Sequence, residues 1–277
     1  MDTKIIDQAL DKYLPCGGKL AEAMRYSALA PGKKFRPKLV LAACEAVGGK
    51  AEKALPVACA IEFVHVYSLI HDDLPAMDDD DYRRGQPASH KKFGEAVAIL
   101  AGDALSTLAF EVIASDVPSD KVAAITVELT QALGIRGMVG GQIDDLESEG
   151  KEINLEMMRS IHVRKTGALI RAAVRGGAII GGATFDELKS LTLYAEHLGV
   201  AFQIMDDIKD VEGSLETTGK TPGSDKRKKK ATYPSLVGVE ESRKIADKEV
   251  TLALEALKSF DQKAETLREI IKPCVRL

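Results

Sequence analysis

Residues 55–85 read LPVACAIEFVHVYSLIHDDLPAMDDDDYRRG. Apolar side chains recur there at three- and four-residue spacing as far as Ile70, broken by Glu62 and His65, which is the period of a helix. A helix this apolar belongs in a protein interior. It runs directly into six carboxylates within ten residues: Asp72, Asp73 and the run from Asp78 to Asp81. An acidic run usually marks a solvated loop. At the end of a buried helix, such mutual repulsion is costly unless a cation neutralises it. The run is closed by Arg83 and Arg84, whose forked donors suit phosphate oxygens. The glycine and distant glutamate of an EF-hand are missing from this spacing.

The same helical period continues through nearly all of the 277 residues, and alternating strand patterns are hard to find. The pattern predicts helices near 3–14, 18–30, 36–48, 53–72, 95–115, 120–136, 154–164, 166–181, 185–212, 240–259 and 262–271. Ser119 and Asn154 stand where helix N-caps belong. Residues 73–94 and 213–234 resist the helical reading because glycine and proline interrupt them. With no low-complexity linker, the expectation is all-α, one domain over residues 1–277, built as a bundle of roughly ten or more helices around a central cavity.

Composition agrees and excludes some alternatives. Lys and Arg number 38 against 42 Asp and Glu, a net charge of −4, which argues against a nucleic-acid-coating protein. The basic run from Lys226 to Lys230 has no aromatic interleaving and does not change that reading. Four scattered cysteines form no CxxC pair, so neither a disulfide framework nor a zinc knuckle is expected. No secretory signal and no run of about 18 uninterrupted apolar residues is visible, so the expectation is a cytoplasmic protein without integral membrane association.

A second acidic cluster lies in Phe202-Gln203-Ile204-Met205-Asp206-Asp207-Ile208-Lys209-Asp210. At about 100° per residue, Gln203, Asp206 and Asp210 share one helix face, with Asp207 beside them. Hard oxygen ligands of this kind suit Mg²⁺, which is commonly shared between carboxylates and substrate phosphates. A third pair, Asp144-Asp145, heads into a polar turn and reads as structural. Matching cations are Lys33 and Arg36 at a helix start, His65 two turns before Asp72, and Lys165-Thr166-Gly167 at a helix junction. Lys220 and Lys230 bracket a Gly/Pro-containing loop. Two acidic walls with basic rims describe a site for a diphosphate bridged by Mg²⁺, and the apolar helix before the first cluster suits a hydrocarbon tail.

From about Lys33 to Pro234 the chain resembles the short-chain trans-isoprenyl diphosphate synthases, of the bacterial farnesyl diphosphate synthase type. The resemblance rests on GKKFRP, HVYSLIHDDLPAMDDDDYRRG, HKKFGEAVAILAGDAL, GGQ, KTGALI, FQIMDDIKD, and GK followed by KATYP. It implies the isoprenoid synthase fold, a homodimer, and Mg²⁺-dependent head-to-tail condensation of isopentenyl diphosphate with an allylic diphosphate. It also implies three Mg²⁺ ions per active site, with Asp72, Asp78 and Asp206 as ligands and Asp73, Asp207 and Asp210 orienting metal-bound waters. Lys33, Arg36, His65 and Arg84 resemble the isopentenyl diphosphate clamp. Arg83, Lys165, Thr166, Gln203, Lys220 and Lys230 resemble the allylic clamp. Among these, Lys165, Thr166 and Gln203 carry catalytic roles, the last two by turning oxygens toward the developing carbocation. The final proton goes to the departed diphosphate.

Pro31, Phe35 and Tyr82 depart from the usual family pattern without removing a charge or ligand. Tail length depends on residues one or two turns before Asp72, here Tyr67 and Ser68. The bulk of Tyr67 predicts a fifteen-carbon product, farnesyl diphosphate. The alternatives are a geranylgeranyl diphosphate synthase using the same sites and, more remotely, a non-catalytic subunit of a heteromeric synthase.

Overall fold

A computed structural model describes residues 3–212 and 231–274. The sites expected at Lys220 and Lys230 lie outside the described residues. The opening helices are α1 (Lys4–Tyr13), α2 (Lys19–Ala28), α3 (Phe35–Ala46) and α4 (Leu55–Asp72). A hairpin of two-residue strands, β1 (Tyr82–Arg83) and β2 (Gln86–Pro87), follows with Arg83 paired to Gln86. Then come α5 (Ser89–Phe93), α6 (Glu95–Asp116), α7 (Ser119–Leu133), α8 (Met138–Ser148) and α9 (Leu155–His162). A π-helical turn (Val163–Gly167) leads into α10 (Ala168–Gly181) and the long α11 (Phe185–Glu212). The chain closes with α12 (Tyr233–Val237), α13 (Val239–Ala256) and α14 (Glu265–Ile271).

Helix α4 is the axis of this arrangement. It begins with a proline in its first turn, where the missing N–H costs nothing. Its side chains from Val57 to Val66 are buried apart from His65, Glu62 included, so its apolar character on every side reflects burial on every side. Helices α3 and α6 pack against it, α10 joins α3 to α11, and α13 covers the far side of α11. The buried apolar residues form one continuous cluster running from Ile6 to Cys274.

Most expected helices are present within a few residues. Asn154 caps α9 by accepting the Met157 amide at 2.8 Å. Ser119 is a correction: Pro118 holds the N-cap position of α7, and Ser119 is already the first helical residue. Helix α8 is a second correction: no helix is expected between 136 and 154, yet Met138–Ser148 is helical with Gly140 and Gly141 inside it.

Three segments, Ala51–Asp72, Glu95–Asp116 and Ser119–Ser148, are long and apolar enough to cross a membrane by length and composition. Counting uninterrupted apolar runs overlooked them, because isolated polar residues divide each one. In the first, 61% of the most apolar window is buried inside the protein; in the other two the share is 39% and 28%. The apolarity of α4 is thus absorbed by the core, whereas α6, α7 and α8 keep apolar side chains at the surface.

Candidate active site

The first aspartate motif is built by a turn rather than by a helix. Helix α4 stops at Asp72, and the chain folds back so that the Asp78 amide donates to the Asp72 carbonyl at 2.8 Å. Asp79 takes a left-handed conformation, φ 51°, and its amide donates to Leu74. This return places Asp78 beside Asp72 across a spacing that no helix face would align. Asp72 is held above the usual carboxylate range by burial, with Asp78 and Asp73 adding repulsion and Lys165 and Arg83 opposing it.

Asp73 turns the other way. It is buried and forms a bidentate pair with Arg83, whose Nε donates to Asp73 Oδ1 at 2.9 Å and to Oδ2 at 3.2 Å; Asp80 adds a contact at 3.2 Å. Burial alone would lower the Arg83 pKa, yet hydrogen bonding and charge attraction from Asp73, with Asp80 and Asp72 adding to it, raise it above the ordinary arginine value. Arg83, expected on the allylic diphosphate, is thus paired with carboxylates of the motif itself, and Asp73, expected to orient a metal-bound water, fixes that arginine.

The second motif divides similarly. On α11, Asp206 is exposed while Asp207 is buried. Asp207 Oδ1 accepts from Gln203 Nε2 at 2.9 Å, and its Oδ2 accepts from the Tyr233 amide at 3.0 Å. Thr166 Oγ1 donates to Gln203 Oε1 at 2.8 Å. A chain of hydrogen bonds thus runs from the π-turn through α11 to the start of α12. Asp207 belongs to the groups that hold Gln203, and Asp206 is the member of the pair whose carboxylate is exposed.

The π-turn presents Lys165 and Thr166 on a widened backbone, a distortion found frequently at functional sites. Two glycines make room for it. A Cβ on Gly141 of α8 would stand 2.4 Å from the Lys165 amide nitrogen, and one on Gly199 of α11 would stand 3.1 Å from Gly167 Cα. Lys165 Nζ pairs with Asp145 Oδ2 at 2.6 Å, and Arg164 pairs with Asp144. The third acidic pair, read as structural, is the counter-ion of the π-turn. Its role escapes a linear reading because its partners come from a later turn.

The expected isopentenyl diphosphate clamp assembles at the start of α3 and on α4. Lys33 is exposed, and Arg36 NH1 lies 3.3 Å from His65 Nε2, with Arg84 NH2 at 3.5 Å from the same atom. Burial, reinforced by Arg36, Arg84, Arg83 and Lys34, keeps the His65 pKa well below its ordinary value, so the ring is neutral and its Nε2 lone pair faces both guanidinium groups. Burial lowers the Arg36 pKa to about 10, while Glu62 and Asp206 oppose that and Arg84 adds to it. Phe35 stacks on Phe202 with ring centroids 4.8 Å apart, joining this clamp to the second motif. Lys34 and Glu62, missed from sequence, form a buried pair beneath it at 3.5 Å.

Below Asp72, Tyr67 is half-buried against the core and meets His71 edge-on at 5.4 Å. Ser68 turns its hydroxyl back to the His65 carbonyl at 2.8 Å. Among the described residues, no three His, Cys, Asp or Glu side chains converge as a ready-made metal cage. Paired carboxylates on one wall and a single exposed carboxylate on the other fit an ion that completes its shell from a substrate diphosphate, as Mg²⁺ does. Bound there, Mg²⁺ would supply charge to stabilise a departing diphosphate.

Comparison with known proteins joins these features to a family. A model described as polyprenyl synthetase matches residues 18–273. A geranylgeranyl diphosphate synthase of Cyanophora paradoxa is 48% identical over 267 residues, covering 94% of this chain and 89% of that protein. The large subunit 1 of a chloroplastic heterodimeric geranylgeranyl pyrophosphate synthase of Arabidopsis thaliana is also 48% identical, over 93% of this chain and 72% of its own. The crystal structure of an FPP/GFPP synthase from Zymomonas mobilis superposes with a TM-score of 0.87 at 38% identity, covering 99% of this chain and 96% of that one. With the family match over residues 18–273 and likeness in sequence and fold over nearly the whole length of such relatives, the chain belongs to the polyprenyl synthetase family, with its all-α isoprenyl synthase fold.

Proposed function

We propose that this prenyltransferase condenses isopentenyl diphosphate with an allylic diphosphate, in the presence of Mg²⁺, and extends the chain to geranylgeranyl diphosphate. The observation that carries the reading is the pairing of Asp72 and Asp78 by the turn after α4, with Lys165 and Arg83 near Asp72 and Asp206 near Arg36. In this account Asp72, Asp78 and Asp206 hold the ions that arrive with the allylic diphosphate, and Lys165 binds its oxygens. Ionisation of the allylic C–O bond leaves a carbocation, whose charge the oxygens of Thr166 and Gln203 stabilise. Arg36, Arg84, His65 and Lys33 hold the second diphosphate so that its double bond lies against that cation. The proton released after bond formation passes to the departed diphosphate.

The twenty-carbon product rests on the names of the relatives, two of which are geranylgeranyl synthases at 48% identity. This displaces the fifteen-carbon expectation drawn from Tyr67 alone. That second reading keeps one supporting observation: the Tyr67 ring, a bulky group five residues before Asp72, packs against the core beside His71. Extraction and chain-length analysis of the products decides between them. A twenty-carbon product from the unaltered chain supports the first reading. A fifteen-carbon product that lengthens in Tyr67→Ala supports the second.

For the working assembly we infer a dimer of two copies of this chain. Exposed Ile99 and Leu100 on α6, Val127 on α7, and Val139 and Ile143 on α8 support it. A monomeric mass by light scattering would overturn that inference.

A further inference from the structure

We propose that Glu62 is the positioning residue of the isopentenyl diphosphate clamp: its buried carboxylate holds Lys34 and Arg84, and through them the two loops that carry the clamp's cations, against α4. The proposal rests on the reading that Arg36, His65 and Arg84 receive that diphosphate.

Glu62 is 1% exposed, and neither of its oxygens has a hydrogen-bond partner among the described residues. Its charge is met by Lys34 Nζ at 3.5 Å and Arg84 NH2 at 3.9 Å. Such a carboxylate is costly to bury unless cations stay near it. Both cations sit on strained backbone. The non-glycine residues with positive φ among the described residues are Lys34 at 47°, Asp79 at 51° and Arg84 at 53°. L-residues rarely adopt this conformation, and it persists where the surroundings over-determine it. Two of the three are the partners of one buried glutamate.

Their positions give that tie a consequence. Lys34 is the residue from which α3 starts, so its conformation sets the directions of Lys33 and Arg36. It is further anchored by donating to the Ala28 carbonyl at 2.9 Å. Arg84 packs on Gly32, where a Cβ would lie 3.2 Å from its guanidinium. The hairpin and the loop before α3 therefore meet over Glu62, and Arg36 and Arg84 converge on the same His65 nitrogen. Before a diphosphate arrives, Glu62 is the buried negative charge among Lys34, Arg36 and Arg84, with Asp206 acting on Arg36 and the half-exposed Asp7 3.7 Å from Lys34.

Charge and position predict opposite outcomes when Glu62 is neutralised. Removing a negative charge beside an anion site makes the potential more positive and by itself tightens diphosphate binding. Releasing Lys34 and Arg84 from their strained conformations scatters the clamp and weakens it. The test is steady-state kinetics of Glu62→Gln, Glu62→Asp and Arg36→Gln, with each substrate varied in turn. Glu62→Gln should raise KM for isopentenyl diphosphate by about tenfold or more, the effect of leaving the clamp's cations without their buried counter-charge. KM for the allylic substrate should stay within about twofold, and Glu62→Asp, which keeps the charge, should recover most of the loss. A lowered or unchanged KM for isopentenyl diphosphate, equal rises for both substrates, or no recovery in Glu62→Asp would overturn the proposal. Arg36→Gln separates the two claims. If it leaves KM for isopentenyl diphosphate unchanged, the clamp assignment itself is wrong; if it raises that KM while Glu62→Gln does not, the role of Glu62 alone is wrong. Should Glu62→Gln fail to fold, Lys34→Met/Glu62→Gln removes the buried pair together, and the same rise is expected.

Discussion

Thr166 Oγ1 donates to Gln203 Oε1 at 2.8 Å, tying the π-turn to the helix of the second aspartate motif. Gln203 passes the constraint to Asp207 at 2.9 Å, and Asp207 to the Tyr233 amide at 3.0 Å. The oxygens assigned to the developing cation are therefore fixed by a network with one end on α12. Thr166→Val should break the first link and lower kcat by about ten- to a hundredfold, the range expected of a misplaced catalytic group. Stability should fall by only about 1 kcal/mol, the net contribution of one neutral hydrogen bond. Pre-steady-state turnover and thermal unfolding check the two halves separately.

The neighbours Asp206 and Asp207 should behave differently despite identical chemistry. Asp206 is exposed, so Asp206→Ala should leave the melting temperature nearly unchanged while turnover falls by about a thousandfold or more. Asp207→Ala strands Gln203 and a buried amide, and should cost about 1–3 kcal/mol of stability. Chemical denaturation of the two variants, alongside turnover, measures the contrast.

The width of the π-turn depends on the absent side chain of Gly141. A Cβ there would meet the Lys165 backbone at 2.4 Å, so Gly141→Ala must displace either α8 or the turn. The expected cost is about 1–3 kcal/mol of stability together with at least a tenfold fall in kcat, because Lys165 and Thr166 move as one. Asp145→Asn, which weakens the 2.6 Å pair with Lys165 without adding bulk, should lower kcat with a smaller loss of stability.

His162 makes the fold sensitive to mild acid. Burial lowers its pKa to about 4, with Lys165 adding to the effect and Asp145 opposing it, and its Nδ1 is buried without a partner among the described residues. Its folded pKa lies below that of the unfolded chain, so the unfolded state binds the proton more readily. Stability from this group is complete above about pH 6.5 and falls by about 1.4 kcal/mol per unit as pH drops toward 4. His162→Phe should remove one proton from that slope. Denaturant midpoints at pH 7, 6 and 5 for both proteins give the comparison; parallel curves would contradict it.

The sequence was most informative where a helix carried its own signal. The apolar period of α4 and the acidic face of α11 were legible because neighbours at three and four residues share a face. What escaped was set by contacts between distant segments. Helix α8 carries two glycines, Gly141 set by the approach of Lys165 and Gly140 by the Ile135 carbonyl, and Lys34 differs from Lys33 through its partner Glu62 on another helix. Asp73 and Asp207 looked equivalent to the adjacent Asp72 and Asp206. Their inward orientation follows from Arg83, Gln203 and Tyr233, and adjacency alone does not show it.

In the proposed reaction the two aspartate motifs act together on a diphosphate to extend a prenyl chain. The most direct measurement is diphosphate release by the purified full chain from isopentenyl diphosphate with geranyl diphosphate, with and without Mg²⁺, in the unaltered protein and in Asp72→Asn and Asp206→Asn. The account predicts Mg²⁺-dependent release coupled to formation of a longer prenyl diphosphate, and a fall of about a thousandfold or more when either wall is neutralised. Near-normal elongation in either variant, or no elongation by the unaltered chain with Mg²⁺ and both substrates present, would contradict it.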